Sequence, residues 1–288
     1  MDAVFLGLLA GALFGAMTVA VRTGLFRGGD PILGSVVMTS SAFLVTVLIA
    51  LLVTEMDDTL SELWPFLLIG LAVPGLSQIG FIQAVRWAGP SRTAILVGTA
   101  PLLSVLLAIA FLGEPLEPVL LIGTAFVVLG GIVLAFDPGR PTGFRRIGVV
   151  FALLCATAFA FRDNAIRGVA RDIGVSPLGA AAASLLGATL ATGAIVLVAR
   201  RDATRSQLRL AVRSFLPAGV LLALAYATLV AGFDRGSVGI IAPLNATQSL
   251  WGVVFAALFY HNTEAIGRRT VLASMLVVVG GVLIGVFR

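Results

Sequence analysis

GTAFVVLGGIVLAF at residues 123–136 and ASMLVVVGGVLIGV at residues 273–286 decide how this chain is read. Both are uncharged runs with a glycine pair near the middle, and they stand 150 residues apart. Gly130-Gly131 recur as Gly280-Gly281, Val128 as Val278, Phe136 as Val286, and the preceding Glu114 as Glu264. Working outward, Phe14, Gly15 and Arg22 correspond to Phe159, Ala160 and Arg167 at an offset of 145, and Pro31 corresponds to Pro177 at 146. Gly89 pairs with Gly236, and Pro101 with Gln248, at an offset near 147. The chain therefore reads as two copies of one unit, residues 1–137 and residues 145–288.

Composition gives the solvent. The 288 residues are 59% apolar and 11% charged, against roughly 25% charged in a soluble domain. Runs such as Val4 to Val21, Pro31 to Thr54, Trp64 to Val85 and Thr93 to Gly113 carry no charge, and a helix needs about 20 such residues to cross a ~30 Å hydrocarbon core. The runs are continuous rather than alternating, which points to helices and not to a membrane barrel. Cutting at charged or turn-rich stretches predicts ten spans, near 3–21, 32–53, 64–85, 91–112, 116–136, 147–168, 178–199, 214–232, 237–259 and 267–287. Five spans per unit is an odd number, so the second unit must thread the bilayer in the opposite sense. The expected fold class is an all-α integral membrane protein of ten transmembrane helices, built as two inverted five-helix repeats in the cell membrane. Opposed halves can exchange conformations, which suits alternating access to one central site.

Other functions find little purchase. Cys155 is the only cysteine and His261 the only histidine, so a disulfide or a multi-histidine metal site is not expected, and no cofactor is predicted. An intramembrane enzyme would need a nucleophile beside a base; His261 falls in a loop and Cys155 has no charged neighbour within four residues, and no catalytic residue is assigned. A non-catalytic membrane scaffold is the alternative reading. Asp2 stands where a signal peptide would be positive, so the first apolar run is read as a retained span. All 19 basic residues are Arg. In a soluble protein such a balance suggests nucleic acid; here the arginine-rich loops are read as facing anionic lipid headgroups. The loops after odd-numbered spans hold 14 of them and the opposite side five, which places the odd loops in the cytoplasm and both termini outside.

Polar side chains far from span ends mark cavities or helix contacts. In span 9, Asn245 and Gln248 share a face with Gly252, and Trp251 is close by. Span 3 offers Ser77 and Gln78 one turn after Pro74, whose missing donor bends a helix and frees a carbonyl. Thr99 in span 4 and Tyr226 in span 8 add hydroxyl groups. In span 6, Arg162, Asp163 and Asn164 fall inside the hydrocarbon core. Asp163 and Arg167, four residues apart, are expected to pair, leaving Arg162 to snorkel or to meet an anionic substrate. Asp163 is the one candidate for carrying a coupling proton. Asn245, Gln248, Trp251, Gln78, Ser77, Arg162, Asn164, Tyr226 and Thr99 are the candidate substrate-binding residues. Gly7, Gly11 and Gly15 form a small-residue stripe in span 1, which is read either as a homodimer contact or as packing inside the bundle.

The paired motifs resemble a known family. Phe14-Gly15 and Phe159-Ala160, Asp30-Pro31 and Ser176-Pro177, then Pro101, Leu112-Gly113-Glu114, Gly123, Gly130 and Gly131 look like the EamA type of the drug/metabolite transporter superfamily. The resemblance covers the whole chain. It implies a secondary carrier of a small solute, often an exporter of amino acids, other metabolites or drugs, with a cavity between the halves. It also implies cytoplasmic termini; the arginine count of this chain gives the other orientation and is retained. Gln248 departs from the proline that the family places in span 9.

Overall fold

In a computed structural model the described residues are 3–53, 58–100, 102–104, 106–107, 143–236, 241, 244–260 and 267–286, with isolated positions between 119 and 133. No strand occurs among them. In lipid each backbone N–H and C=O must be satisfied within its own segment, which leaves the helix as the solution for these apolar runs. The helices are α1 (Ala3–Phe26), α2 (Pro31–Val53), α3 (Leu60–Gly70), α4 (Ser77–Ala88), α5 (Pro90–Val97), α6 (Arg146–Ile173), α7 (Pro177–Ala199), α8 (Arg205–Arg235), α9 (Gln248–Tyr260) and α10 (Arg268–Val286). A π turn, Leu71–Leu76, joins α3 to α4 around Pro74, so the two form one bent rod. Nine rods result among the described residues. Most of span 5 lies outside them, and the count of ten is not tested. Among the described residues six helices are long and apolar enough to cross a membrane: α1, α2, the α3–α4 rod, α6, α7 and α8.

The helix starts are written twice in the sequence. Asp30 caps α2 by accepting from the N–H groups of Ile32 and Leu33, and Ser176 caps α7 by accepting from Gly179 N; in each case proline follows as the first helical residue. Thr59-Leu60-Ser61-Glu62 and Thr204-Arg205-Ser206-Gln207 close α3 and α8 with matching capping boxes. The Thr59 N–H donates to Glu62 at 2.7 Å and the Thr204 N–H to Gln207 at 2.9 Å. This pair of boxes is a repeat signal that the apolar pattern alone does not reveal.

Equivalent spans run in opposite directions. In the α2–α7 pair, Thr39 and Thr192 share a hydroxyl hydrogen bond of 2.8 Å, Asp30 meets Arg200 at one end, and Asp58 bonds Ser176 at the other. In the pair formed by spans 4 and 9, Gly98 abuts Ser249 while Gly252 abuts Ala94. The remaining contacts exchange in the same way. α1 packs on α8 and α9, and α6 packs on α4 and α5; α8 packs on α2, and α3 on α7. Gly70 lies directly on the backbone of Ser184, and Gly219 on that of Met38, so the same close crossing occurs in each half. Gly130, of the repeated glycine pair, lies against Ala273 and Val277 of α10.

The glycine stripe of α1 is spent inside the molecule. Gly7 faces Leu244, Gly11 faces Thr247 and Asn245, and Gly15 faces Trp251 and Gly252. Ala152, Ala156 and Ala160, at the corresponding positions of α6, are fully buried. Charges mark the hydrocarbon boundary and not the helix end: residues 200–213 were expected as a loop, yet α8 is helical from Arg205. Arginines in the headgroup layer stay solvated while the backbone ladder continues.

At the odd-loop end, Asp30 and Arg200 pair at 2.9 Å with 30% and 39% of their side chains exposed. Partial burial alone raises the Asp30 carboxyl, but the Arg200 hydrogen bond and charge and the Leu33 and Ile32 N–H groups outweigh it and hold the group below its ordinary value. A carboxylate lowered in the folded state contributes stability that is full above its unfolded value and lost as pH falls through the folded one. The thermal midpoint should therefore drop as the pH is lowered from about 5, and Asp30→Asn should remove that part of the drop. Both partners are well exposed, so the effect is under about 1 kcal/mol.

Candidate functional site

The centre of the bundle carries a duplicated helix break. After α5, the Thr99 N–H and hydroxyl both bond to Leu96 O, at 3.1 and 2.6 Å. Before α9, the Thr247 N–H and hydroxyl both bond to Leu244 O, at 3.1 and 2.7 Å. Each is a three-residue turn that adjoins an α-helix, after α5 in span 4 and before α9 in span 9. The offset is 148, one more than the sequence comparison gives, and it aligns Pro101 with Ser249 instead of Gln248. The two breaks meet across the antiparallel crossing, where the Ser249 hydroxyl donates to Ala94 O at 3.2 Å. Discontinuous helices near the bilayer midplane are a recurrent way of presenting backbone polar groups to a solute.

A belt of polar side chains lies at the same level. Asn245 and Gln248, 7% and 6% exposed, flank the break of span 9 against Gly11 of α1. α1 and α8 run antiparallel, with Gly24 against Phe215 and Leu6 against Gly232, which sets fully buried Tyr226 opposite Ala12 and Leu13. The Tyr226 hydroxyl sits beside Ser184; neither it nor Asn245 Oδ1 makes a hydrogen bond of good geometry among the described residues. Buried polar atoms in that condition are few in folded proteins and call for a partner.

Arg162 stacks on this belt. Its guanidinium lies 5.5 Å from the Tyr226 ring centre and 4.9 Å from that of Phe159. Its Nε and Nη2 both donate to Asp163 Oδ1, at 2.9 and 2.7 Å. Asp163 thus has Arg162 as a partner, which the i, i+4 expectation did not assign to it. Both side chains are almost wholly buried, and an enclosed arginine needs the nearest available anion. For the same reason Arg162 does not snorkel. The Arg167 side chain lies outside the described residues.

The other candidates divide. Gln78 is buried and its Nε2 approaches Met38 Sδ at 3.5 Å. Ser77 Oγ returns to Pro74 O, and Cys155 Sγ reaches Ser77 O. Asn164 donates to Ser104 Oγ at 2.8 Å, to Ser104 O and to Ala160 O, which ties α6 to span 4. Thr99 belongs to the break itself. Trp251 is at the bundle surface, 37% exposed, with its ring stacked on Phe255. Thr247 and Ser249 belong with the site; the signal for them was the Leu-x-x-Thr pattern repeated at 148. No cluster of three or more metal-ligating side chains occurs among the described residues.

Side chains of the odd-loop face cross-link helices at one end of the bundle. Arg22 Nη1 donates to the last carbonyls of α4, Val85 O and Arg86 O, and its guanidinium covers the Phe26 ring at 4.4 Å. Thr23 and Tyr260 share a 2.6 Å hydrogen bond that ties α1 to the end of α9. A cleft of about 440 Å³ opens here among Arg22, Phe26, Asp30, Arg86 and Gln207.

Helices of this length and apolarity define a multi-pass integral membrane protein of the cell membrane. Within that class the chain belongs to the EamA-like transporter family, whose model matches twice, over residues 1–136 and 146–286. It is accordingly a membrane transporter of the drug/metabolite transporter type. No curated protein matches the sequence. Among solved structures, one described only as the crystal structure of a protein shares the fold at 20% identity, with a TM-score of 0.70 over 99% of this chain and 96% of its own.

Proposed function

We propose that the protein is a secondary carrier that exports a small polar metabolite, an amino acid before a drug, by alternating access between two inverted five-span halves. The observation that carries this reading is the duplicated break at Leu96–Thr99 and Leu244–Thr247, set at the crossing of two equivalent, oppositely directed spans. Because each half holds the same device in reversed orientation, a rearrangement that opens one face has a counterpart of similar energy that opens the other. The site lies between them. Asn245 and Gln248 offer amide donors and acceptors, and Tyr226 offers a hydroxyl. Arg162 is neutralised by Asp163 in the resting bundle. A proton taken up by Asp163 would release the guanidinium to a substrate carboxylate, and its loss would restore the internal pair, so that one proton leaves with each anionic substrate, driven by the substrate's own outward gradient. The odd loops, with 14 of the 19 arginines, face the cytoplasm in this reading.

The test is counterflow of labelled amino acids, sugars, nucleosides and organic anions in proteoliposomes. Saturable exchange of at least one of them is expected, with Asn245→Ala and Gln248→Ala each lowering its rate by roughly tenfold, the scale of one lost hydrogen bond to a polar ligand. Unsaturable flux, or both variants exchanging at the native rate, would contradict the assignment.

A further inference from the structure

α8 is longer than its task inside the membrane requires. It runs for 31 residues, about 46 Å at 1.5 Å per residue, against a hydrocarbon core of ~30 Å. The charge-free part, from Ser214 to Phe233, matches that core by itself. The excess lies at the N-terminal end. There Gly219 stands four residues further from its capping Thr204 than Gly70 does from Thr59, so the second half carries one additional helical turn at this place.

That extra length is occupied by two parallel rows. Arg205, Arg209 and Arg213 follow one another at four-residue spacing, and beside them Leu208, Val212 and Leu216 do the same. All six are exposed, with Leu208 at 48%, Val212 at 40% and Leu216 at 44%. Ala211, Ser214 and Phe215, on the far side of the helix, are the residues buried against the bundle. Five of the six line a shallow hollow of about 600 Å³. None of the three arginine side chains has an ion-pair or hydrogen-bond partner among the described residues. Like charges four residues apart oppose the helix that carries them, a repulsion that an external anion would relieve.

We propose that this face of α8 binds an anionic glycerophospholipid, its phosphate held by Arg205, Arg209 and Arg213 and one acyl chain lying along Leu208, Val212 and Leu216. Guanidinium groups suit phosphate oxygens because they give paired, charge-assisted hydrogen bonds. The apolar row distinguishes a lipid from a soluble phosphate. It begins in the headgroup layer and continues into the lipid-facing side of the span, as an acyl chain does. The proposal stands apart from the transport reading, since none of these residues belongs to the central site.

Purified protein in neutral detergent, titrated with phosphatidylglycerol or phosphatidylcholine and followed by both native mass spectrometry and thermal midpoint, tests it. The native chain should retain phosphatidylglycerol and gain stability from it, with little response to phosphatidylcholine or to glycerol 3-phosphate. R205Q/R209Q/R213Q should weaken phosphatidylglycerol retention by roughly fivefold per arginine, on the order of a hundredfold together. L208S/V212S, which keeps every charge, should weaken it as well, whereas Arg235→Gln at the opposite end should leave it unchanged. Equal retention by the triple arginine variant, equal retention by the serine variant, or equal stabilisation by glycerol 3-phosphate would each overturn the proposal.

Discussion

Asp163→Asn should cost the folded protein about 3–5 kcal/mol, more than other single polar substitutions in α6, and should lower the thermal midpoint accordingly. The reason is what it leaves behind. Arg162 is enclosed by Phe159 and Tyr226, and two of its nitrogens are bonded to one Asp163 oxygen. An uncharged amide accepts a hydrogen bond but does not balance the guanidinium, which then remains a buried, uncompensated cation. Arg162→Met produces the mirror-image defect and a similar loss. R162M/D163L removes both charges and should recover most of the stability while abolishing counterflow. That split separates the pair's part in folding from its part in transport. A single Asp163→Asn variant as stable as the native chain would mean that Arg162 is reached by water, and the enclosed pair would have to be abandoned.

The second large effect belongs to a glycine. A Cβ at position 70 would fall on the backbone of Ser184, and the neighbouring Gly187 lies as closely on Leu67 O. Backbone cannot move aside as the end of a side chain can, so α3 and α7 must separate along this crossing. Gly70→Leu should therefore destabilise by about 3 kcal/mol or more, and Gly219→Leu should do the same at the equivalent crossing of α8 and α2. Gly168→Ala in α6 is the contrasting case. Nothing lies within 4 Å of its Cβ position, and alanine is the better helix former, so stability should be unchanged or rise by up to about 1 kcal/mol. Unfolding of the three variants in detergent distinguishes glycines that permit close approach from one that does not.

The apolar runs made the class legible, because bilayer thickness leaves little freedom in how a 20-residue uncharged segment is used. The repeat was legible for a different reason. A glycine pair recurring at a fixed interval stands out against an apolar background, and at Gly130 the absence of a side chain is used by the close approach of α10. Less of the site could be read. Asn245, Gln248 and Tyr226 stood out as polar residues at mid-span and share one level of the bundle. Trp251, chosen on the same grounds, has its ring at the surface, since proximity in sequence on a helix does not fix the face. Arg162 was not legible as a partner of Asp163 because helical spacing points four residues on, whereas the need to neutralise a buried arginine acts through the whole fold. The breaks at Thr99 and Thr247 were hidden by their composition: Leu-x-x-Thr is ordinary in a membrane helix, and only its recurrence at the crossing gives it meaning. Most of span 5 and residues 261–266 lie outside the described residues.

The central claim is that equivalent parts of the two halves face opposite sides of the membrane. Ser61 and Ser206 occupy the same place in the two capping boxes and both are exposed, while the sole native thiol, Cys155, is buried and removable as Cys155→Ser. Single S61C and S206C variants in that background, treated with a membrane-impermeant maleimide on intact cells and then on inverted vesicles, give the most direct answer. The thiol at 206 should react only when the cytoplasmic face is exposed, and the thiol at 61 only from outside. Labelling of both from one and the same side would contradict the inverted arrangement, and with it the exchange of conformations on which the carrier mechanism depends.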